Sequence, residues 1–303
     1  MNFELRVLGT GSAVPSYGRF SSSQVLHTHS KDFMIDCADG TQYQLRRLGV
    51  KNTRLGHIFI SHLHGDHCFG LIALISTMSM LHHTSDIHIH AHPDLKPLLQ
   101  PQLDYFCNDL PFKVFFDPFD PLKHETIYED RSITVETIPL VHSVPTAGFL
   151  FREKPSGPHL NKEMLAYHEV GVAEAKAIKE GTDFVRADGK IIPRSEFLTA
   201  PTPPKSYAYC CDTYYSERIV PIIEGVDVLF HEATFAQAES HRCKNTLHST
   251  ARGAAEIATK AHVKQLIISH FSARYPQLDH LLAEAREVFP NTLLATDGMV
   301  FQF

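Results

Sequence analysis

The sequence predicts a layered α/β protein, and three observations carry that prediction. Short apolar runs of strand length recur through both halves of the 303-residue chain. Helix-length stretches lie between them, and polar, metal-ligating side chains follow directly on the ends of several runs. Strands are expected at residues 3–8, 23–27, 32–35, 57–60, 87–91, 133–137 and 148–151. After an interruption they resume at 207–211, 226–230, 265–269, 293–295 and 300–302. Helices are expected at 41–48, 68–81, 93–107, 250–261 and 278–289. That order suits more than one layered fold, so periodicity alone leaves the architecture open.

Composition bounds the rest. No Pro/Gly/Ser-rich linker, repeat or low-complexity block divides the chain, and 43% hydrophobic residues suffice for a sizeable core, so one domain over 1–303 is expected. No apolar run approaches the ~18 residues needed to span a bilayer, and the start Phe3-Glu4-Leu5-Arg6-Val7-Leu8 alternates like a strand rather than a signal peptide. The six cysteines show no CxxC spacing, which predicts a reducing compartment; a cytoplasmic protein without a membrane partner is the simplest expectation. Cys68, next to the richest motif, is read as a small buried thiol. The formal charge of −6 is unusual for a binder of polyanions, so any such binding must use a local surface or bound cations.

The motif that selects a fold is His62-Leu63-His64-Gly65-Asp66-His67. It follows Ile58-Phe59-Ile60 and precedes Phe69-Gly70-Leu71-Ile72, a strand, a tight loop and the start of a helix. Four imidazole and carboxylate ligands within six residues can be aimed by such a loop into one small volume, and they suit zinc or a similar divalent ion. Further candidates stand at the ends of other apolar runs. His142 follows Ile138-Pro139-Leu140-Val141, Asp212 follows Tyr207-Ala208-Tyr209-Cys210-Cys211, and His270 follows Leu266-Ile267-Ile268-Ser269. The histidines at 82, 83, 88, 90 and 92 follow ordinary strand alternation and are read as structural or surface residues.

This constellation resembles the metallo-β-lactamase superfamily. The resemblance implies an αββα sandwich, two packed mixed sheets flanked by helices. It also implies two Zn2+ per subunit, one on His62, His64 and His142 and the other on Asp66, His67 and His270, with Asp212 between them. His231-Glu232-Ala233-Thr234, His248-Ser249-Thr250 and His270-Phe271-Ser272-Ala273-Arg274-Tyr275 narrow it further. They resemble the ribonuclease Z family of transfer-RNA 3′-processing endonucleases, from Leu8-Gly9-Thr10-Gly11-Ser12 to Ala295-Thr296-Asp297-Gly298. For such an enzyme the resemblance implies metal-activated water attack on a phosphodiester of precursor tRNA, oriented by Asp66. Glu232 and His248 would assist departure of the 3′ oxygen.

The interruption, residues 152–206, is expected to be an inserted arm, with a helix within 161–180. In the family this region docks RNA, and the resemblance offers Lys162, Lys176, Lys179, Arg186, Lys190 and Arg194 as phosphate contacts. Arg19 and Arg274 are offered as substrate contacts nearer the site. Eight acidic residues are interleaved with the arm's cations, so a solvated insertion is the plain alternative. The chain departs from the family at Pro15-Ser16-Tyr17-Gly18-Arg19-Phe20, where many members carry Lys and Asn, and at Glu169-Val170-Gly171-Val172-Ala173, where a Gly-Pro turn is usual. Short members of the family pair, so a homodimer is implied. A small-molecule phosphodiesterase or arylsulfatase-like hydrolase would keep the seven ligands without needing the arm. A non-catalytic metal- or RNA-binding copy would not need Glu232 and His248.

Overall fold

The computed structural model describes residues 3–16, 18–29 and 31–303, and it divides into two compact units. The first comprises Met1–Arg152 with Lys205–Phe303, and the second is Glu153–Pro204.

In the first unit, strands β1 (Glu4–Gly9), β2 (Ser23–His27), β3 (Asp32–Cys37), β4 (Leu55–Phe59), β5 (Ile87–Ala91) and β6 (Val114–Pro118) follow in order, joined through helices from β3 onward. These are α1 (Thr41–Arg47), α2 (Gly65–Cys68), α3 (Leu71–Met80) and α4 (Leu95–Phe106). Strands β7 (Thr126–Glu129), β8 (Ile133–Pro139) and β9 (Ala147–Glu153) follow. The second unit holds β10 (His159–Leu160), α5 (Lys162–Tyr167), α6 (Val172–Glu180), β11 (Phe184–Val185), β12 (Ile191–Ile192) and β13 (Leu198–Thr199). The chain then supplies β14 (Ser206–Cys210), β15 (Val228–Glu232), α7 (Ser240–Thr246), α8 (Ala251–Lys260), β16 (Gln265–Ser269), α9 (Asp279–Val288), β17 (Thr292–Leu294) and β18 (Val300–Gln302).

One seven-stranded sheet has the order β18-β1-β2-β3-β4-β5-β6, and the other β17-β16-β15-β14-β9-β8-β7. Each is mixed: β3 to β6 run parallel in the first, β14 to β17 in the second. The inner strands, such as β3, β14 and β15, are buried on both faces, which is why they read as continuous apolar runs. Along β14 the alternation is plain. Tyr207 and Tyr209 enter the core between the sheets with Phe33, Phe59 and Phe149, whereas Ala208 and Cys210 face a second core under α8 and α9. A third core, with Leu71, Leu74, Leu95 and Leu99, lies between the first sheet and α3 and α4. Three cores separate four layers, the αββα order.

The expected helix 68–81 is two elements. The single turn α2 ends near Phe69, and α3 begins at Leu71. Gly70 marks the break, because its backbone N–H donates to Cys37 O at 2.8 Å and a Cβ there would lie 2.0 Å from Ala38 O.

The second unit has its own small core of Ile178, Phe184, Ile192 and Phe197. Asn161 caps α5 by accepting from the backbone N–H of Glu163 and Met164. The expected helix within 161–180 is two helices, because Glu169 adopts φ +53° and Val170 N–H turns back to Leu165 O. Among the described residues no helix is long and apolar enough to cross a membrane.

Candidate active site

The loops at the carboxyl ends of the parallel strands converge, the end of an α/β sheet where ligands bind. β4 leads into His62, His64, Asp66 and His67; β14 into Asp212; β15 ends on Glu232; β16 leads into His270. β8 adds His142, and the turn before α8 adds His248.

Two groups of four side chains form there. In one, His64 Nδ1 lies 3.1 Å from His62 Nε2 and 3.3 Å from His142 Nε2, and Asp212 Oδ2 lies 3.6 and 3.7 Å from the same two Nε2 atoms. In the other, Asp212 Oδ1 lies 3.0 Å from His270 Nε2 and 3.4 Å from His67 Nε2, while Asp66 Oδ2 lies 3.4 Å from His67 Nε2 and 3.8 Å from His270 Nε2. The two oxygens of one carboxylate therefore face two different groups. Ligands placed tetrahedrally at the usual zinc distances would be roughly 3.3–3.6 Å apart. Both groups have close to that spacing.

A divalent ion fits these residues. Asp66 Oδ2, His67 Nε2, Asp212 Oδ1 and His270 Nε2 are all buried and make no hydrogen bond, and together they are the four ligand atoms of one group. Buried polar atoms left unpaired are costly, so four converging on one point mark a place for a cation.

Neighbouring groups fix how the rings point. Asp36, wholly buried, accepts from His67 Nδ1 at 2.7 Å, from Tyr209 Oη at 2.7 Å, and from the backbone N–H and hydroxyl of Ser61 at 2.8 and 2.9 Å. The Ser61 hydroxyl in turn lies 3.0 Å from His62 Nδ1. His142 Nδ1 donates to Leu247 O at 3.1 Å, and His270 Nδ1 meets the Thr234 hydroxyl at 3.0 Å. With each Nδ1–H engaged, the Nε2 lone pairs of all four rings are left facing the two groups, the outer-shell support expected of metal ligands. Asp36, Leu247 and His270 hold φ values of +56°, +54° and +62°, a left-handed backbone that costs ~1–3 kcal/mol at a non-glycine residue.

Glu232 lies beside this centre, fully buried. Its Oε1 accepts from Thr213 N–H at 2.8 Å and from His248 Nδ1 at 2.8 Å; its Oε2 accepts from the Thr234 hydroxyl at 2.6 Å and from Ser249 N–H at 3.0 Å. The His248 ring lies 5.1 Å from that of His142 and 5.3 Å from that of His270. Burial alone would lower the His248 pKa; the Glu232 carboxylate outweighs it and holds the imidazole up at about 9. Burial likewise opposes ionisation of Asp212, but His270 and His67 hold its pKa far below the usual range. His62, dehydrated and close to His67, is pushed towards the neutral form that a metal ligand requires.

A cavity of about 320 Å3 opens over His64, Asp66, His142, Asp212, His248 and His270. Arg274 lines it too, tied to Glu239 at 2.6 Å and to the Ser272 hydroxyl at 3.0 Å. Arg19 donates to the carbonyls of Tyr275 and Ser272 at 2.9 and 3.4 Å. Tyr17, in the same loop, lies outside the described residues. Lys162, Lys176, Lys179, Arg186, Lys190 and Arg194 belong to the second unit. The first five are exposed, with Lys176 near Glu180 and Arg186 near Asp188, and Arg194 is half-buried. Among the described residues the other histidine-rich stretch forms no metal-capable group; His88 instead bonds Asp117 at 2.8 Å.

Sequence reasoning missed Asp36, Ser61, Thr213, Thr234 and Leu247. Asp36 carried a signal, a carboxylate inside the apolar run Phe33-Met34-Ile35-Asp36-Cys37. A buried acid in a strand needs partners.

The chain is 54% identical to "Ribonuclease Z" of Phocaeicola vulgatus, over 98% of this chain and 96% of that one. It is 51% identical to "Ribonuclease Z" of Bacteroides thetaiotaomicron, over 98% and 94%.

The chain belongs to the ribonuclease Z family.

A solved structure, the short form of human tRNase Z, matches 98% of each chain with a TM-score of 0.71 at 24% identity, a likeness of fold. The model of a second family, described as Anti-Pycsar protein Apyc1, matches residues 3–164, so the chain also falls within that family over its first half. That span holds the histidine motif and His142 but stops before Asp212, Glu232, His248 and His270. The ribonuclease Z relatives cover the complete site.

Proposed function

We propose that this protein is the endoribonuclease that removes the 3′ trailer from precursor tRNA, leaving a 3′-hydroxyl on the tRNA. One observation carries the reading: Asp212 turns its two oxygens to two metal-capable groups, and the Glu232–His248 pair stands directly beside them. The relatives named Ribonuclease Z at about half identity over nearly full length support the same substrate.

In this reading two Zn2+ would be held per subunit, one by His62, His64 and His142, the other by Asp66, His67 and His270, with Asp212 available to each group. Two such ions polarise a phosphoryl oxygen and bring the pKa of a water towards neutrality. The protein's own groups do the rest. Asp66, ionised and lining the cavity, orients the attacking water. His248, protonated through its pairing with Glu232, gives its proton to the departing 3′ oxygen as the P–O bond breaks. Asp36, Ser61, Thr234 and Leu247 hold the ligand rings in place. The exposed cations of the second unit, Lys162, Lys176, Lys179, Arg186 and Lys190 with Arg194, contact the tRNA backbone, and two subunits pair in the cytoplasm. Arg19 and Arg274 contact the substrate nearer the cut.

The test is cleavage of a 3′-extended precursor tRNA by zinc-loaded protein, with product ends mapped and bis(p-nitrophenyl) phosphate as a parallel substrate. A single cut beside the discriminator nucleotide is expected. Hydrolysis of the small diester with the RNA left intact would overturn the substrate while keeping the metal chemistry. Removing residues 162–194 should weaken precursor binding far more than hydrolysis of the small diester; equal losses would mean that the second unit is structural.

A further inference from the structure

A second and larger cavity, of about 710 Å3, adjoins the metal-capable centre and shares Asp66 and Ala13 with the cavity over it. Its volume falls within the ~300–1,000 Å3 of ligand pockets. Among the described residues two aromatic rings line it. Phe69 lies two residues beyond His67 and is 72% exposed, so its ring is open to an entering group. Phe20 is half-buried and stacks on Tyr43, with ring centroids 6.1 Å apart and planes at 20°. Both rings lie over glycines. A Cβ at Gly65 would come within 2.4 Å of the Phe69 ring, and one at Gly40, where φ is +79°, within 2.8 Å of the Phe20 ring. The backbone thus leaves room for both rings.

The charged groups at the wall tell what enters. Asp39 and Asp66 are carboxylates, and the only cation among the described lining residues is Arg19, whose guanidinium also donates to the carbonyls of Tyr275 and Ser272. Such a wall offers aromatic faces rather than a cluster of cations, which suits a nucleobase; base–aromatic stacking is tolerant of sequence.

We propose that Phe69 and Phe20 form a stacking site for the base of the first trailer nucleotide, immediately downstream of the cut. The proposal rests on the precursor-tRNA reading above. The leaving 3′ oxygen belongs to the upstream nucleotide, which therefore lies on the side of His248, its proton donor. His248 lines the cavity over the metal-capable centre and is absent from the aromatic one, whereas Asp66 lines both. The nucleotide on the far side of the scissile phosphate is the one that reaches Phe69.

The experiment is a cycle between a protein change and a substrate change, read as kcat/KM for precursor tRNA. One precursor carries an ordinary first trailer nucleotide and the other an abasic residue there; the proteins are the wild type, Phe69→Ala and Phe69→Leu. The wild type should lose roughly ten-fold on the abasic precursor, within the usual worth of one stacked base. Phe69→Ala should lose a similar factor on the ordinary precursor and little more on the abasic one, and Phe69→Leu should behave like Phe69→Ala. Losses that multiply, or a wild type indifferent to the missing base, would overturn the stacking site. As a check independent of the variants' folding, 2-aminopurine at that nucleotide should be quenched when the precursor binds His248→Ala protein; unchanged fluorescence would also overturn it. A wild type that cuts neither precursor but hydrolyses bis(p-nitrophenyl) phosphate would instead remove the reading on which the proposal stands.

Discussion

His248 owes its chemistry to one neighbour. Its imidazole is held up at about 9 by Glu232 against the opposing effect of burial, so the proton-donating form persists at neutral pH. The sign follows from the direction of that shift. A step that needs the protonated ring is intact below this value and is lost as pH rises through it, and bound cations nearby would move the limb downward. His248→Ala should keep its metal and slow single-turnover cleavage by about 10²–10⁴-fold; loss of zinc on that substitution would reassign the residue as a ligand. Glu232→Gln should move the basic limb of the pH–rate profile towards the ordinary imidazole range near ~6.5, and an unmoved limb would disconnect the pair from the rate. Asp36 acts further back. It anchors His67, and through Ser61 it reaches His62. Asp36→Ala should weaken zinc binding by roughly 10–100-fold, the usual cost of a lost outer-shell partner, as read by chelator competition; unchanged affinity would mean that packing alone orients the rings.

At the scale of elements, the site depends on where strands stop and turns begin. β4 and α3 are joined through the single turn α2, and Gly70 permits the break between α2 and α3. Gly70→Ala would drive a Cβ into the backbone at Ala38 and Cys37, so a destabilisation of about 1–3 kcal/mol is expected. Thermal unfolding with zinc present checks it, and an unchanged midpoint would show that the loop relaxes freely. Element identity was largely legible in the sequence, because strands buried on both faces announce themselves as apolar runs. Two of the missed strands share a cause. β6 (Val114–Pro118) ends in a proline and β7 (Thr126–Glu129) has no buried residue, and both lie at sheet edges where the apolar signal thins. The break between α5 and α6 was also hidden, since the left-handed turn is made by Glu169 rather than by a glycine.

At the scale of the whole molecule, the two metal-capable groups link stability to metal. Four buried atoms of one group have no hydrogen bond, so removing the ions should destabilise the folded state. With zinc at a hundred times its Kd, the stabilisation lost on chelation would be about 2.7 kcal/mol. The unfolding midpoint should fall with chelator and recover with zinc, and a midpoint indifferent to both would mean that the groups hold no ion. Two divalent ions would also offset four of the six formal negative charges, which eases the approach of a polyanion.

By itself the sequence determined the metal-ligand candidates and most of the elements. Four of the ligands fall within His62–His67, where backbone geometry alone keeps them together, and the others stand just past apolar runs that read as strands. Tertiary structure alone decided that Asp212 divides its oxygens between two groups, that Asp36 and Thr234 orient the rings, and that Phe69 and Phe20 line a common cavity beside Asp66. Those relations join residues many positions apart in the chain. Their geometry is set by sheet order and strand register, which local spacing does not encode.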